Sequence, residues 1–206
     1  MSTRVKICGI TSLADARAAV AAGADALGFN FYEQSPRQLT IPRAAEISRQ
    51  LEPFILRVGV FVDAPEELVA RALRECGLGM LQFHGAEPPD FCTRFGTMSM
   101  KAFRLRDAES LKELPKYATD AWLLDAFSPA APGGTGETFD WALAVEARKL
   151  GKPIFLAGGL TPENVAAAVR QVRPFGVDVA SGVESSPGKK DPALMQAFVK
   201  AVRSAE

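Results

Sequence analysis

The sequence predicts a single (β/α)8 barrel, and three observations carry that prediction. Short apolar runs alternate with helical segments at intervals of roughly 20–30 residues. Eight such runs can be counted, where an open doubly wound sheet usually has about five to seven. The 206 residues suffice for one sizeable core and are short for two full domains. No linker, low-complexity tract or 20–50-residue repeat (apart from the strand–helix alternation) divides the chain, so one domain over residues 1–206 is expected.

In order, the strand candidates are RVKIC from Arg4, ALGFNF from Ala26, ILRVGVFV from Ile55, MLQFH from Met80, MSMKAF from Met98, AWLLDA from Ala121, PIFLAG from Pro153 and GVDVA from Gly176. Between them lie helical segments with recognisable start signals. Ser12-x-x-Asp15 resembles a capping box, with Asp where Glu is usual. Asp63-Ala64-Pro65-Glu66 and Asp191-Pro192 place an acid ahead of a proline. Thr161-Pro162-Glu163 offers a capping hydroxyl and a proline at the first helical position. Val165, Ala168, Val169 and Val172 then follow at helical spacing. The stretch Ala126–Phe139 is the longest irregular one and, rich in Gly and Pro, reads as a mobile loop on the functional face.

Composition narrows the function. Lys and Arg balance Asp and Glu at 24 each, so no global field draws in nucleic acid or an anionic membrane, and any bound anion needs a local site. Three cysteines without C-x-x-C spacing argue for reduced thiols in a cytoplasmic protein, against a disulfide framework or structural zinc. No apolar run reaches the ~18 residues of a spanning helix.

In such a barrel the chemistry lies at the C-terminal ends of the strands. Those positions hold Cys8, Asn30, Asp63, His84, Arg104, Asp125, Gly158-Gly159, and Asp178 with Ser181-Gly182. The glycine pairs precede helix-start signals after strands seven and eight, where barrels of this kind commonly hold phosphate. Either alone also fits a tight turn; at those two places together they favour a small sugar-phosphate ligand. Cys8 alone has the character of a small core residue. Set on strand one opposite Asp125 on strand six, it suggests paired proton transfer, one group taking a proton as the other gives one. Cys76 and Cys92, in helical segments, keep the core reading.

Strand alternation turns Lys6 to the same side as Cys8, about 7 Å away. At that distance the ammonium favours a thiolate by roughly 2 kcal/mol and should draw the thiol pKa down toward working pH. Lys6 then needs an acidic partner, for which Asp178 has the right parity. His84, the only histidine, sits at the rim as a candidate substrate contact. Arg37, in the loop after strand two, could clamp a carboxylate.

KICGIT, GADALGFNFYEQSPR, RVGVFV, LQFHG, LLDA, GGTGETFDW, LAGGLTPENV and GVDVASGVESSPGKKD, in this order and over nearly the whole chain, resemble the phosphoribosylanthranilate isomerase family. The resemblance implies a cofactor-free, metal-free (β/α)8 barrel that performs an Amadori rearrangement in tryptophan biosynthesis; barrels of this size occur both as monomers and as dimers, so a monomer or a homodimer is expected. It implies Cys8 as general base, Asp125 as general acid, Arg37 on the anthranilate carboxylate, and Gly158, Gly159, Ser181 and Gly182 around the phosphate. His84 and Asp178 complete the expected substrate contacts. Two departures are visible: no lysine stands near Phe127, and Ala180 replaces a common serine. A related isomerase of histidine biosynthesis should carry Asp in place of Cys8. A Schiff-base aldolase would need an inward lysine, Lys6 or Lys101; a non-catalytic sugar-phosphate-binding barrel would have no use for both Cys8 and Asp125.

Overall fold

Eight parallel strands close into a barrel in the computed structural model, which describes residues 2–126 and 141–206. They are β1 (Arg4–Cys8), β2 (Ala26–Asn30), β3 (Leu56–Phe61), β4 (Met80–Phe83), β5 (Met98–Leu105), β6 (Ala121–Ala126), β7 (Ile154–Ala157) and β8 (Gly176–Val179). Each pairs with its chain neighbour, and β8 returns to β1 in the register Lys6↔Asp178. The expected loop from Ala126 falls, from residue 127 onward, outside the described residues.

The pleat sorts side chains between two cores. Ala26, Val58, Met80, Met100, Ala121, Leu123 and Phe155 fill the barrel's interior. Val5, Ile7, Leu27, Phe29, Leu81, Phe83, Leu124, Leu156 and Val177 point outward into the layer beneath the helices. Those helices are α1 (Leu13–Ala22), α2 (Ile41–Ser48), α3 (Glu66–Cys76), α4 (Pro89–Thr93), α5 (Trp141–Arg148), α6 (Val165–Val172) and α7 (Pro192–Arg203). Each fully buried aliphatic side chain contributes about 1.5–3 kcal/mol, so the outer layer, with more of them, supplies most of the stabilisation. No helix among the described residues is long and apolar enough to cross a membrane.

Two caps form as expected. Ser12 Oγ accepts from Asp15 N at 3.1 Å, although the Asp15 carboxylate turns to Lys190 N instead of completing a capping box. Asp191 accepts from Ala193 N and Leu194 N, with Pro192 opening α7. Two others differ. Thr161 does not cap α6, because Asn164 Oδ1 takes its N–H and the helix begins at Val165. Pro65 stands outside α3 as its cap, not at its first turn. Between β5 and β6 the connection is a 3-10 helix (Glu109–Lys116) with Pro115 inside it. After β8 a short hairpin, β9 (Glu184–Ser186) with β10 (Lys189–Lys190), was not foreseen.

Candidate active site

Alternation along β1 turns Val5 and Ile7 out and leaves Lys6 and Cys8 facing the interior. Room for them comes from the neighbouring strand β2. Cys8 is in register with Gly28, and a Cβ built there would lie 2.8 Å from the Cys8 sulfur and 3.2 Å from Lys6 Nζ. Lys6, 1% exposed, donates to Asp178 Oδ1 at 2.8 Å, the partner that strand parity suggested. Burial pulls the Lys6 ammonium down, but the Asp178 carboxylate and the neighbouring thiol outweigh it and hold its pKa up.

The thiol itself departs from expectation. Burial raises Cys8 above its ordinary 9.0, and the attraction of Lys6 offsets only part of that, the more so because Asp178 opposes it. A pairwise estimate between Lys6 and Cys8 omits the cost of stripping water from a thiolate, and that cost decides the sign. Cys76 and Cys92, buried outside the barrel, are pushed up to about 11 by the same desolvation.

Ten candidate residues line one cavity of about 250 Å³ at the C-terminal end of the barrel: Cys8, Asn30, Arg37, His84, Asp125, Gly158, Gly159, Asp178, Ser181 and Gly182. Asp63 and Arg104 fall instead in an adjoining pocket that shares His84. Asp125 Oδ2 lies 3.2 Å from His84 Nε2, and His84 Nδ1 lies 3.2 Å from Gln82 Nε2. Asn30 organises the loop carrying Arg37: its Nδ2 donates to Ser35 Oγ, which accepts in turn from Arg37 N.

Arg37 is braced from the far end of the chain. Its Nε and Nη2 both donate to the Glu184 carboxylate at 2.7 Å, leaving Nη1 for another partner. Lys190 donates to the same carboxylate at 2.8 Å and to Ala180 O at 2.9 Å. The unforeseen hairpin therefore fixes both Arg37 and the turn after β8. That turn in turn packs on the one after β7. A Cβ on Gly182 would meet Leu160 O at 1.9 Å, so only glycine allows the two backbones to touch. Asn164 Nδ2 donates to Gly159 O at 2.9 Å, bracing the first glycine pair.

Sequence reasoning missed Gln82, Gly28 and Glu184. Parity with Met80 and His84 marks Gln82 as inward, and the β1–β2 pairing marks Gly28. Glu184, 147 residues from Arg37, gave no local signal. Lys101 is a correction of another kind: Met100 and Ala102 take the interior of β5, so Lys101 points outward, where it donates to Gly85 O and Glu87 Oε2. Neither lysine is placed as a free amine nucleophile, Lys101 lying outside the barrel and Lys6 ion-paired to Asp178.

A family model described as N-(5'phosphoribosyl)anthranilate (PRA) isomerase matches residues 5–201. An N-(5'-phosphoribosyl)anthranilate isomerase from Geobacter sp. (strain M21) is 56% identical over 197 residues, 96% of each chain. A crystal structure of phosphoribosyl anthranilate isomerase from Thermotoga maritima superposes with a TM-score of 0.92 at 42% identity, covering 98% of this chain and 99% of that one. Another phosphoribosyl anthranilate isomerase, solved in complex with reduced 1-(o-carboxyphenylamino)-1-deoxyribulose 5-phosphate, gives 0.89 at 39% identity with coverage of 98% and 99%.

Proposed function

The chain belongs to the N-(5'-phosphoribosyl)anthranilate isomerase family, and from that premise we propose how its own residues carry the reaction. The enzyme converts N-(5-phosphoribosyl)anthranilate to 1-(2-carboxyphenylamino)-1-deoxyribulose 5-phosphate in tryptophan biosynthesis. One observation carries the assignment of roles: Cys8 and Asp125 line the same cavity as both glycine-rich turns and Arg37.

Asp125 protonates the ribose ring oxygen, the C1′–O bond breaks, and a protonated Schiff base forms. Cys8, as thiolate, then takes the proton from C2′, and the enolamine tautomerises to the ketone. A thiol raised by burial is the stronger base once ionised, and the Schiff-base cation has already acidified the C2′ proton. Arg37, with Nη1 free of Glu184, binds the anthranilate carboxylate. Backbone N–H groups of Gly158, Gly159, Ser181 and Gly182 hold the phosphate. His84 contacts the substrate beside Asp125, and Asp178 does so while keeping Lys6 charged next to the thiol. No cofactor enters these steps, and the single barrel domain, residues 1–206, supplies every group named.

Cys8→Ser and Asp125→Asn should each lose orders of magnitude in kcat while still binding the reduced product analogue. Following the anthranilate fluorescence of substrate consumption measures this. Wild-type-like turnover in either variant would remove the mechanism.

Three free cysteines support a cytoplasmic setting. Of monomer and homodimer, the opposite end of the barrel favours the homodimer. Phe54 is 99% exposed there, at a cavity of about 550 Å³ lined also by Met80, Met98, Phe155 and Phe175. An apolar patch of this kind gains by covering its mate on a second copy. Light scattering should find two chains in the wild type and one in Phe54→Ser; a wild-type monomer would leave the patch unpaired.

A further inference from the structure

Gln82 and His84 lie two apart on the inward face at the end of β4, and Gln82 is 1% exposed. The three side chains Gln82, His84 and Asp125 form a line, with 3.2 Å from Gln82 Nε2 to His84 Nδ1 and 3.2 Å from His84 Nε2 to Asp125 Oδ2. The other atom of the amide, Gln82 Oε1, is buried with no hydrogen-bond partner among the described residues. An amide placed there only to fill space would be a poor choice, because Met occupies similar volume without stranding a carbonyl oxygen. What the amide has and Met lacks is an N–H aimed at His84.

We propose that Gln82 is a positioning residue whose N–H holds His84 as the Nε2–H tautomer, so that the ring can only donate to Asp125. This rests on Asp125 being the acid. When the Asp125 O–H bond breaks and the proton bonds to the ribose ring oxygen, the carboxylate left behind accepts the His84 N–H. The other tautomer would turn a bare Nε2 toward Asp125. It would compete with the ring oxygen for the proton before transfer and set lone pair against carboxylate after it. A neutral amide donor at Nδ1 prevents this without adding charge to the site.

The chain has a single histidine, so ¹⁵N-histidine labelling yields one pair of ring nitrogens, and their shifts report the tautomer without substrate. In the wild type at a pH where the ring is neutral, Nε2 should carry the proton and Nδ1 should not. Glu in place of Gln82 supplies an acceptor instead of a donor, so Q82E should move a proton onto Nδ1. Its kcat should fall at least about tenfold with KM within about twofold. Q82M, which keeps volume and removes the donor, should give a mixed tautomer signal and a smaller fall in kcat, and it decides the matter if Q82E does not fold. An Nδ1–H ring in the wild type, or wild-type kcat in the folded variants, overturns the proposal. Failure of the acid reading looks different: Asp125→Asn would keep its turnover, whatever the ring spectrum of the wild type.

Discussion

Two lysines of this barrel are buried against carboxylates in nearly the same geometry, Lys6 with Asp178 at 2.8 Å and Lys101 with Glu87 at 2.7 Å. Both ammonium groups are almost wholly sealed from water. Their surroundings differ because their strand faces differ. Lys6 lies inside, where its next neighbour on the same face is the Cys8 thiol. Lys101 lies outside, where its remaining contacts are Gly85 O and the face of the Tyr117 ring, 5.7 Å from its centroid. A buried ion pair is thus no sign of function in itself. One residue of register decides whether its charge acts on the Cys8 thiol in the barrel's mouth or pins a loop to a strand.

Breaking the inner pair should have the larger effect. Lys6→Met leaves Asp178 buried without its cation, at a cost of about 3–5 kcal/mol of stability. It also removes the charge that favours the thiolate, so at pH 8 kcat/KM should drop by roughly a hundredfold. The sign in pH follows from the thiol. Cys8 already lies above 9.0, so the wild-type kcat/KM should climb with pH through a limb above that value, and in Lys6→Met the limb should move higher still. A limb that stays in place would separate Lys6 from the thiol. Lys101→Met should cost a comparable 3–5 kcal/mol in urea denaturation yet leave kcat within about twofold in the folded protein. A large kcat loss there would erase the contrast between the two pairs. The smallest loss of stability is expected in Gly28→Ala, whose methyl crowds the sulfur from the neighbouring strand. A fall of about tenfold in kcat is expected, with about 1–3 kcal/mol of destabilisation from overpacking.

Much of this was legible because barrels are periodic. Alternation in RVKIC placed Lys6 and Cys8 inward, and eight such runs sufficed to put Asp125 at the same end of the barrel. Parity on the last strand even named Asp178 as the partner of Lys6. What escaped was contact between distant segments and the balance of opposed energies. Thr161 looked like a cap because the sequence does not reveal that the Asn164 side chain folds back on its N–H. Glu184 was silent until the hairpin carried it to Arg37. The thiol pKa was misjudged because charge separation can be read from spacing, whereas exclusion of water depends on everything packed above the sulfur. Lys101 can be read as inward only while the parity of its neighbours is ignored, since Met100 and Ala102 occupy the interior face of that strand.

The contact of Gly182 with Leu160 O bears on how this chain can change over time. The turns after β7 and β8 cannot drift separately, since any side chain at 182 must displace a carbonyl belonging to the other turn. Insertions or deletions at this rim should therefore be inherited in pairs or eliminated. The corner where these two turns meet is a single heritable unit written in two separated pieces of sequence.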